Sequence, residues 1–297
     1  MTKITSVSIL TKYLAKDAVI NWEAGSIPMS QIPDASPAIK ANLNFYDNPQ
    51  LTKAYFDHLH RDNIFKECWQ AATGSWDDKI VVDIGCGPGN LYATLGGSPR
   101  LLIGVDISPT CLKMAQNIGY TPILADAHNL PFIEGFADIV VMNAALHHCE
   151  NMAMVLAEAA RLVRPGGLLV TDHDPQHTAW NWKGLGMLLY KIRAPLYRLM
   201  YCGKYMSQAE HGAMIKSEIH HKPGDGVVRE LYHQTLEPLG FTVKVYPHNH
   251  SVGAEVLQGN YGRAEFKYRL GQWLSGLNPN SPAGGLSLMC IARRGVK

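Results

Sequence analysis

The stretch VVDIGCGPGN, residues 81–90, decides the fold. It is an apolar run that ends in glycines at positions 85, 87 and 89. Continuous apolar runs of this length are typical of strands that are buried on both faces of a parallel sheet. Glycines at the end of such a strand let the backbone turn sharply and let a ligand approach the main chain. The stretch therefore predicts a buried strand followed by a tight loop that can hold a ligand.

The spacing of the glycines narrows the choice of ligand. A dinucleotide fingerprint, G-x-G-x-x-G, would place glycine at position 90, where this chain has Asn90. A P-loop would need Gly-Lys followed by Ser or Thr, and the stretch contains no such triplet. No lysine or arginine lies between Val81 and Arg100, which suits a ligand without phosphates. A nicotinamide cofactor is therefore disfavoured, and a turn without any ligand stays open as an alternative.

Strands and helices alternate after the glycine loop. Ser108 and Pro109 have the residue types of a helix N-cap and a first helical position. Alternation of this kind predicts an α/β fold with a Rossmann-like, doubly wound sheet of about seven strands. The predicted strands are residues 79–84, 101–106, 122–125, 137–143, 167–172, 242–248 and 286–294, and the helices of this part are residues 90–95, 109–118, 152–163 and 227–239.

Two further segments accompany this alternation. Residues 1–74 predict an N-terminal helical cap, in which residues 49–74 form one amphipathic helix, and residues 75–297 form the Rossmann-like domain. Residues 176–226 interrupt the alternation and are rich in aromatic and basic side chains, so we interpret them as an inserted helical lid. A helical pair that only packs on the domain and a basic amphipathic segment on a membrane surface are the competing interpretations.

Polar residues stand at the ends of three successive predicted strands. Asp106 ends the second strand, Asp126 follows the third, and Asn143 ends the fourth. Because the carboxyl ends of parallel strands meet at one edge of the sheet, these side chains should face one ligand. A carboxylate after the second strand can accept hydrogen bonds from two ribose hydroxyls, and one after the third can accept from an adenine amine. The positions together favour a nucleoside with a polar tail.

The motifs VVDIGCGPG, GVDIS, ADAHNLPF, DIVVMNAALHH and LVRPGGLL resemble those of class I S-adenosylmethionine-dependent methyltransferases, in particular the small-molecule type 11 or UbiE-like group. The resemblance covers residues 79–172, about a third of the chain. It implies an antiparallel last strand and S-adenosyl-L-methionine as the cofactor. The residues that it assigns to the cofactor are Asp83, Gly85, Cys86, Gly87, Gly89, Asp106, Ile107, Asp126, Ala127, Asn143, Ala144 and His148.

Methyl transfer needs a base only when the acceptor arrives protonated, as a phenol or an alcohol does. The candidate catalytic residues are His173, His148 and Asp174, since they follow the fourth and fifth strands. The candidate substrate-binding residues are Tyr46, His173, His177, Trp180, Tyr197 and Tyr201. Metal ligands could come from His173, Asp174, His177, His211, His220 and His221, but no metal-binding spacing connects them, so we predict no metal site.

The function that we predict is methylation of an oxygen or nitrogen of a small, aromatic or apolar metabolite of the natural-product type. Methylation of carbon on a quinone or lipid-like acceptor stays open, as does a non-catalytic S-adenosylmethionine-binding protein. A macromolecular methyltransferase is disfavoured because the fourth strand ends in NAALHH and not in an N/D-P-P-Y-like motif. The sequence does not identify the acceptor, the methylated atom or the oligomeric state.

Composition limits the partners and the location. The net charge of +2 gives no basic tract of the kind that a phosphate backbone requires, so we expect no nucleic-acid partner. No apolar run reaches the length of a membrane span, which leaves only peripheral membrane contact open. The six cysteines form no close C-x-x-C pair, and we expect reduced thiols in a cytoplasmic protein.

Overall fold

The computed structural model describes residues 9–23, 26–30, 36–201 and 216–296, and of residues 193–201 it describes the backbone alone. Nine strands form one sheet in the order β1-β2-β5-β4-β3-β6-β7-β9-β8. The strands are β1 (Ile20–Asn21), β2 (Met29–Ser30), β3 (Ile80–Ile84), β4 (Leu101–Asp106), β5 (Thr121–Leu124), β6 (Ala137–Asn143), β7 (Val163–Pro175), β8 (Phe241–His248) and β9 (Ser287–Arg294).

The predicted α/β class and Rossmann-like sheet are confirmed. Strands β5, β4, β3, β6 and β7 pair in parallel, and β9 lies antiparallel between β7 and β8, as the resemblance implied for the last strand. The sheet has nine strands instead of about seven because β1 and β2 extend it beyond β5. Each of these two strands has only two residues, too few to show an alternating pattern in the sequence.

Ten α-helices accompany the sheet within the described residues. They are α1 (Pro37–Tyr46), α2 (Pro49–His58), α3 (Asn63–Thr73), α4 (Asn90–Leu95), α5 (Pro109–Asn117), α6 (Met152–Leu162), α7 (His177–Trp180), α8 (Gly184–Tyr201), α9 (Arg229–Leu236) and α10 (Phe266–Leu274). The Ser108 side chain caps α5 as predicted, since its hydroxyl accepts from the Cys111 amide at 3.1 Å.

The prediction of one continuous helix over residues 49–74 is wrong. Helix α2 ends where Leu59 adopts extended backbone and His60 adopts a φ of +58°. Asp62 then caps α3, with its carboxylate accepting from the Phe65 amide at 2.8 Å. A capping aspartate inside an amphipathic pattern offers the backbone a new helix start, and here that start is used.

Two hydrophobic clusters lie on opposite faces of the sheet, because alternate strand residues point in opposite directions. Val82 and Val140 belong to the cluster covered by α6 and α9, whereas Val81 and Val141 belong to the cluster covered by α3, α4 and α5. Helices on both faces leave the carboxyl ends of the parallel strands as the edge at which a ligand can bind. The helices of the described residues include none that is long and apolar enough to cross a membrane. The cytoplasmic location stays a prediction.

Candidate functional site

A cavity of about 1050 Å³, partly open to solvent, lies at the carboxyl ends of β3, β4, β5 and β6. Eleven of the twelve residues that the resemblance assigns to the cofactor line it, and Gly89 is the exception. The strand-end residues Asp106, Asp126 and Asn143 are among them, as their shared edge of the sheet requires. The structure thus brings the predicted residues together, while their role in binding the cofactor stays a prediction.

The glycine loop forms the floor of this cavity. The amides of Gly85 and Cys86 both donate to the carbonyl of Val105, at 2.8 and 3.1 Å. Gly85 has a φ of +69°, and a Cβ built on it would lie 2.6 Å from the Cβ of Ala145. A Cβ on Gly87, where φ is +52°, would meet no atom within 4 Å. Gly85 is therefore required for packing, whereas Gly87 leaves open space for a ligand to approach the backbone.

Gly89 acts from outside the cavity. It has a φ of +93° and precedes the first residue of α4, and a Cβ there would lie 2.5 Å from Cδ1 of Ile118. The third glycine of the motif thus permits close packing of α4 against the end of α5. Its contribution to ligand binding is indirect, through the position of the loop.

Asp106 fastens the loop to the second parallel strand. Its Oδ2 accepts from the Gly87 amide and its Oδ1 accepts from the Ser108 amide, both at 2.8 Å. A carboxylate oxygen has two lone pairs, so each oxygen keeps one for a ligand hydroxyl. The side chain can therefore shape the loop and hold two neighbouring hydroxyl groups at once.

Three buried acceptor atoms in the cavity wall have no hydrogen-bond partner among the described residues. They are Oδ1 of Asp83, Oδ1 of Asn90 and Oδ1 of Asn143. Burial raises the pKa of Asp83 to about 7, although the hydrogen bond from the Tyr120 hydroxyl to Oδ2, at 2.6 Å, opposes this shift. Unpaired buried acceptors are costly. A ligand that carries an ammonium group could donate to Asp83 and Asn143, so these acceptors fit the amino-acid end of S-adenosylmethionine.

The opposite end of the cavity is less charged. Ile107 and Ala127 line it together with Asp126. Oδ1 of Asp126 accepts from the His128 amide at 3.0 Å and contacts Nδ1 of His128 at 2.7 Å. Burial alone would raise the pKa of Asp126, but these hydrogen bonds with His128 outweigh burial and lower it. An ionised carboxylate beside two apolar side chains suits a flat heterocycle with an exocyclic amine.

Several residues that line the cavity were not assigned from the sequence, among them Tyr55, Asn42 and Asn90. Asn90 explains the mismatch with the dinucleotide fingerprint. It is buried, and its Nδ2 lies within 2.7–3.2 Å of the carbonyls of Tyr55, Phe56 and Leu59 at the end of α2. An asparagine is needed there to tie the glycine loop to the helical cap, and glycine could not replace it.

His148 lines the cavity in a defined tautomer. Its Nδ1 lies 2.8 Å from the carbonyl oxygen of Ser217, which can only accept, so Nδ1 carries the proton. Its Nε2 is then the acceptor for the Tyr46 hydroxyl at 3.3 Å. Burial, and next the charge of His147, lower the pKa of His148 to about 4. His148 is therefore a neutral imidazole with its basic nitrogen beside Tyr46, which was predicted to bind substrate and lines the same cavity.

His147 makes a separate contact with Asp174. Its Nδ1 lies 2.8 Å from Oδ1 of Asp174, and its Nε2 lies 3.2 Å from Oε2 of Glu218. Burial favours the neutral ring, but the hydrogen bonds to Asp174 and Glu218 outweigh it and raise the pKa of His147 to about 9. Asp174 is fully buried and lies outside the residues that line the cavity. Its catalytic role stays a prediction, and the geometry places it as the partner of His147.

His173 faces a second cavity, of about 300 Å³, with His60, His248 and His250. It lies outside the lining of the larger cavity. One contact joins the walls of the two cavities: Nδ2 of Asn143, in the larger, lies 2.9 Å from Nδ1 of His60, in the smaller. The predicted roles of His173 in catalysis and substrate binding stay predictions, and the structure separates it from His148.

The predicted lid residues lie in neither cavity where their side chains are described. His177 begins α7 and is half-buried. Trp180 is buried in the core, and its Nε1 donates to the Leu286 carbonyl at 3.1 Å. The side chains of Tyr197 and Tyr201, and the whole of His211, lie outside the described residues. Trp180 therefore packs the insertion onto the domain, and its contact with a substrate stays a prediction.

The family described as "Methyltransferase domain" matches residues 82–171. A phthiotriol/phenolphthiotriol dimycocerosates methyltransferase 1 of Mycobacterium ulcerans is 31% identical over 48% of this chain and 56% of its own length. A ubiquinone biosynthesis O-methyltransferase of Thiobacillus denitrificans is 32% identical over 38% of this chain and 51% of its own. The chain thus spans little more than half the length of these curated relatives.

Solved structures share the fold. A phospholethanolamine N-methyltransferase 2 of Haemonchus contortus, in complex with S-adenosylhomocysteine, has a TM-score of 0.53 and 12% identity, covering 90% of this chain and 62% of that one. The 4+2 cyclase SpnF has a TM-score of 0.51 and 14% identity, covering 90% and 99%. At such identities the likeness concerns the fold alone, and the fold hosts more than one reaction.

Proposed function

We propose that this chain, in which residues 82–171 form a class I S-adenosylmethionine-dependent methyltransferase domain, methylates a hydroxyl oxygen of a small apolar acceptor. The observation that carries the proposal is the neutral His148 imidazole in the wall of the cavity that fits the donor. Its Nε2 is unprotonated and lies beside the Tyr46 hydroxyl, 3.3 Å away. A basic nitrogen at this position is of use only to an acceptor that arrives with a proton.

The residues of the larger cavity would hold the donor by its three parts. Asp83 and Asn143 offer unpaired acceptors to the amino group, and Asp106 offers one free lone pair on each oxygen to the ribose hydroxyls. Asp126, between Ile107 and Ala127, would accept from the adenine amine. When bound, the donor supplies a methyl group on a positively charged sulfur, which leaves as a neutral thioether. Positioning of the acceptor therefore contributes much of the acceleration.

His148 would take the proton from the acceptor oxygen as the new bond to carbon forms. Its Nδ1–H stays hydrogen-bonded to the Ser217 carbonyl, so the ring is held with Nε2 toward the cavity. Tyr46 keeps its own proton, because burial first of all raises the pKa of its hydroxyl well above the usual value. The hydroxyl of Tyr46 can then donate to Nε2 before the acceptor enters and orient the acceptor afterwards.

An apolar acceptor is supported by the relatives, of which one acts on phthiotriol and phenolphthiotriol dimycocerosates and another serves ubiquinone biosynthesis. The apolar residues Ala38, Ile39 and Met142 line the same cavity. Methylation of a nitrogen would make less use of His148, because an amine that is neutral on arrival carries no proton that must be removed first. Methylation of carbon on a quinone-like ring remains the alternative that the assay below distinguishes.

The test is transfer of an isotope-labelled methyl group to a panel of hydroxylated, amino and quinol acceptors, with products identified by mass spectrometry. We expect transfer to oxygen, and we expect His148→Gln to lower kcat/KM by roughly 10²–10⁴-fold. His233→Gln is the matched control, since His233 is exposed on α9 and pairs with Glu237. Binding of S-adenosylhomocysteine, measured for all three proteins, separates a loss of proton transfer from a loss of donor affinity.

Two results would contradict the proposal. A His148→Gln variant with full activity would show that no base is used at this position. Transfer only to nitrogen or carbon would reassign the acceptor atom. A chain that binds S-adenosylhomocysteine yet transfers to none of the acceptors would support the non-catalytic alternative.

A further inference from the structure

Four histidines line the smaller cavity, and the fully buried carboxylate of Asp172 contacts two of them. We call these five residues the histidine cluster: His60, Asp172, His173, His248 and His250. Asp172 and His173 stand at the end of β7, His248 ends β8 and His250 follows it, and His60 joins α2 to α3. The cluster therefore collects its members from three distant segments of the chain. None of the five lines the donor cavity described above.

The polar atoms of three members converge closely. Oδ1 of Asp172 lies 2.6 Å from Nε2 of His248, and Oδ2 of Asp172 lies 3.0 Å from Nδ1 of His173. One ligand atom from each of these three residues can be chosen so that all lie within 4.8 Å of one another. Ligand atoms around one tetrahedral zinc ion lie about 3.3 Å apart when each is about 2.0 Å from the metal. Small movements would thus convert these hydrogen bonds into metal bonds.

The spacing of the rings agrees with the same geometry. An imidazole bound at about 2.1 Å has its centroid about 3.2 Å from the metal, so two bound rings lie about 5 Å apart. The centroid of His173 lies 5.6 Å from that of His248, 4.8 Å from His60 and 4.3 Å from His250. The centroids of His248 and His250 are 4.8 Å apart. Of the four rings, His173 and His248 are the two whose ligand atoms lie within 4.8 Å of each other and of an Asp172 oxygen.

The backbone of the histidine cluster is unusual because three of its histidines adopt the left-handed conformation. Five non-glycine residues in the described part of the chain have positive φ, and three of them are His60, His173 and His250, at +58°, +63° and +58°. Left-handed backbone is unfavourable for such residues and is concentrated at ligand sites and active sites. Three residues with this unfavourable backbone conformation therefore line one cavity.

We infer that the histidine cluster binds a divalent transition-metal ion through Asp172, His173 and His248. Imidazole nitrogen with one carboxylate is a ligand set for Zn²⁺ and for other late first-row ions such as Co²⁺, and three protein ligands leave a fourth position for water. This differs from the expectation of no metal site. The sequence shows no spacing motif because the ligands lie 76 residues apart along the chain.

The full chain, freed of metal by a chelator, should be titrated with Zn²⁺ by calorimetry and with Co²⁺ by visible absorption. We expect one ion per chain. His173→Ala and His248→Ala should each weaken Zn²⁺ binding by at least about 100-fold, since loss of even a supporting residue weakens metal sites by about 10–100-fold. His221→Ala is the matched control, because His221 belongs to the other metal-capable group, His147, Glu218 and His221. Binding of S-adenosylhomocysteine reports that each variant is folded.

The outcomes separate this inference from the proposed function, because no measurement depends on methyl transfer. Absence of Zn²⁺ binding by the wild-type chain would overturn the inference, and so would binding that survives in His173→Ala and His248→Ala or is lost in His221→Ala. If an alanine variant fails to fold, a crystal of the zinc-loaded wild-type protein decides. An anomalous peak between Asp172 and His248 supports the site, and a peak elsewhere refutes it.

Discussion

Replacement of Asp106 by asparagine should weaken donor binding although it hardly changes the shape of the side chain. Both carboxylate oxygens accept from backbone amides, Oδ2 from Gly87 and Oδ1 from Ser108, each at 2.8 Å. Asparagine has one oxygen and one NH₂ group, so whichever way it turns, its NH₂ faces an amide donor. The variant must therefore lose one loop hydrogen bond and one of the two lone pairs that face the cavity.

The size of the effect follows from those losses. A hydrogen bond to a charged group contributes about 1.5–3 kcal/mol, which corresponds to roughly 10–150-fold in an equilibrium constant. If the ligand loses one such bond and the loop loses the other, the dissociation constant of S-adenosylhomocysteine should rise by about 10–150-fold. The loop contribution should appear separately as a lower free energy of unfolding without ligand. Calorimetric titration and urea denaturation measure the two quantities.

The matched control is Asp57→Asn. Asp57 is exposed on α2, where it pairs with Lys53, so the same chemical change there should leave ligand affinity unchanged. If folded Asp106→Asn binds S-adenosylhomocysteine within twofold of wild type, Asp106 does not hold the ribose, and the orientation of the donor in this cavity is wrong. An equal loss in Asp57→Asn would instead indicate a general effect of charge.

Three further changes test other parts of the site. The free energy of unfolding of Gly85→Ala should be about 1–3 kcal/mol lower than that of Gly135→Ala, because both glycines have similar positive φ but only a Cβ at Gly85 would collide with Ala145. Urea denaturation measures this difference, and equal stabilities would refute the packing role. Affinity for S-adenosylhomocysteine should rise with pH through about 7, where Asp83 ionises, and Asp83→Asn should flatten this calorimetric profile; a fall with pH would contradict the pairing with an ammonium group. The contribution of His147 to the free energy of unfolding, up to about 3 kcal/mol, should be complete below pH 6.5 and be lost as pH rises through 9, because folding raises the pKa of His147 to about 9; urea titrations of His147→Asn between pH 6.5 and 9 should lack this decline, and the same decline in the variant would assign it to another group.

Local patterns in the sequence predicted the fold well, because the strands of this sheet are buried on both faces. Residues 137–143 were predicted as a strand and form β6 with the same bounds. The break between α2 and α3 was missed, since the apolar pattern of residues 49–74 continues across it and only the cap at Asp62 reveals it. The short strands β1 and β2 could not be predicted, because they depend on pairing with β5 and not on a pattern of their own.

The donor side of the site was predictable for a related reason. Each of its residues lies within a few positions of a strand end, so sequence position fixes its location in the fold. The histidine cluster was not, because Asp172 and His248 meet only through long-range packing. Likewise, Trp180 was assigned to the substrate by its residue type, yet its indole is bound to the Leu286 carbonyl in the core. Residue type alone does not separate a lid aromatic from a packing aromatic.

The inserted segment acts on the proposed base through its backbone and one carboxylate. Ser217 supplies the carbonyl that fixes the tautomer of His148, and Glu218 pairs with the neighbouring His147. Both contacts come from the end of the insertion, where it returns to the domain. The tautomer that leaves Nε2 of His148 facing the cavity therefore depends on where the insertion returns to the domain, and not on the aromatic residues of the insertion.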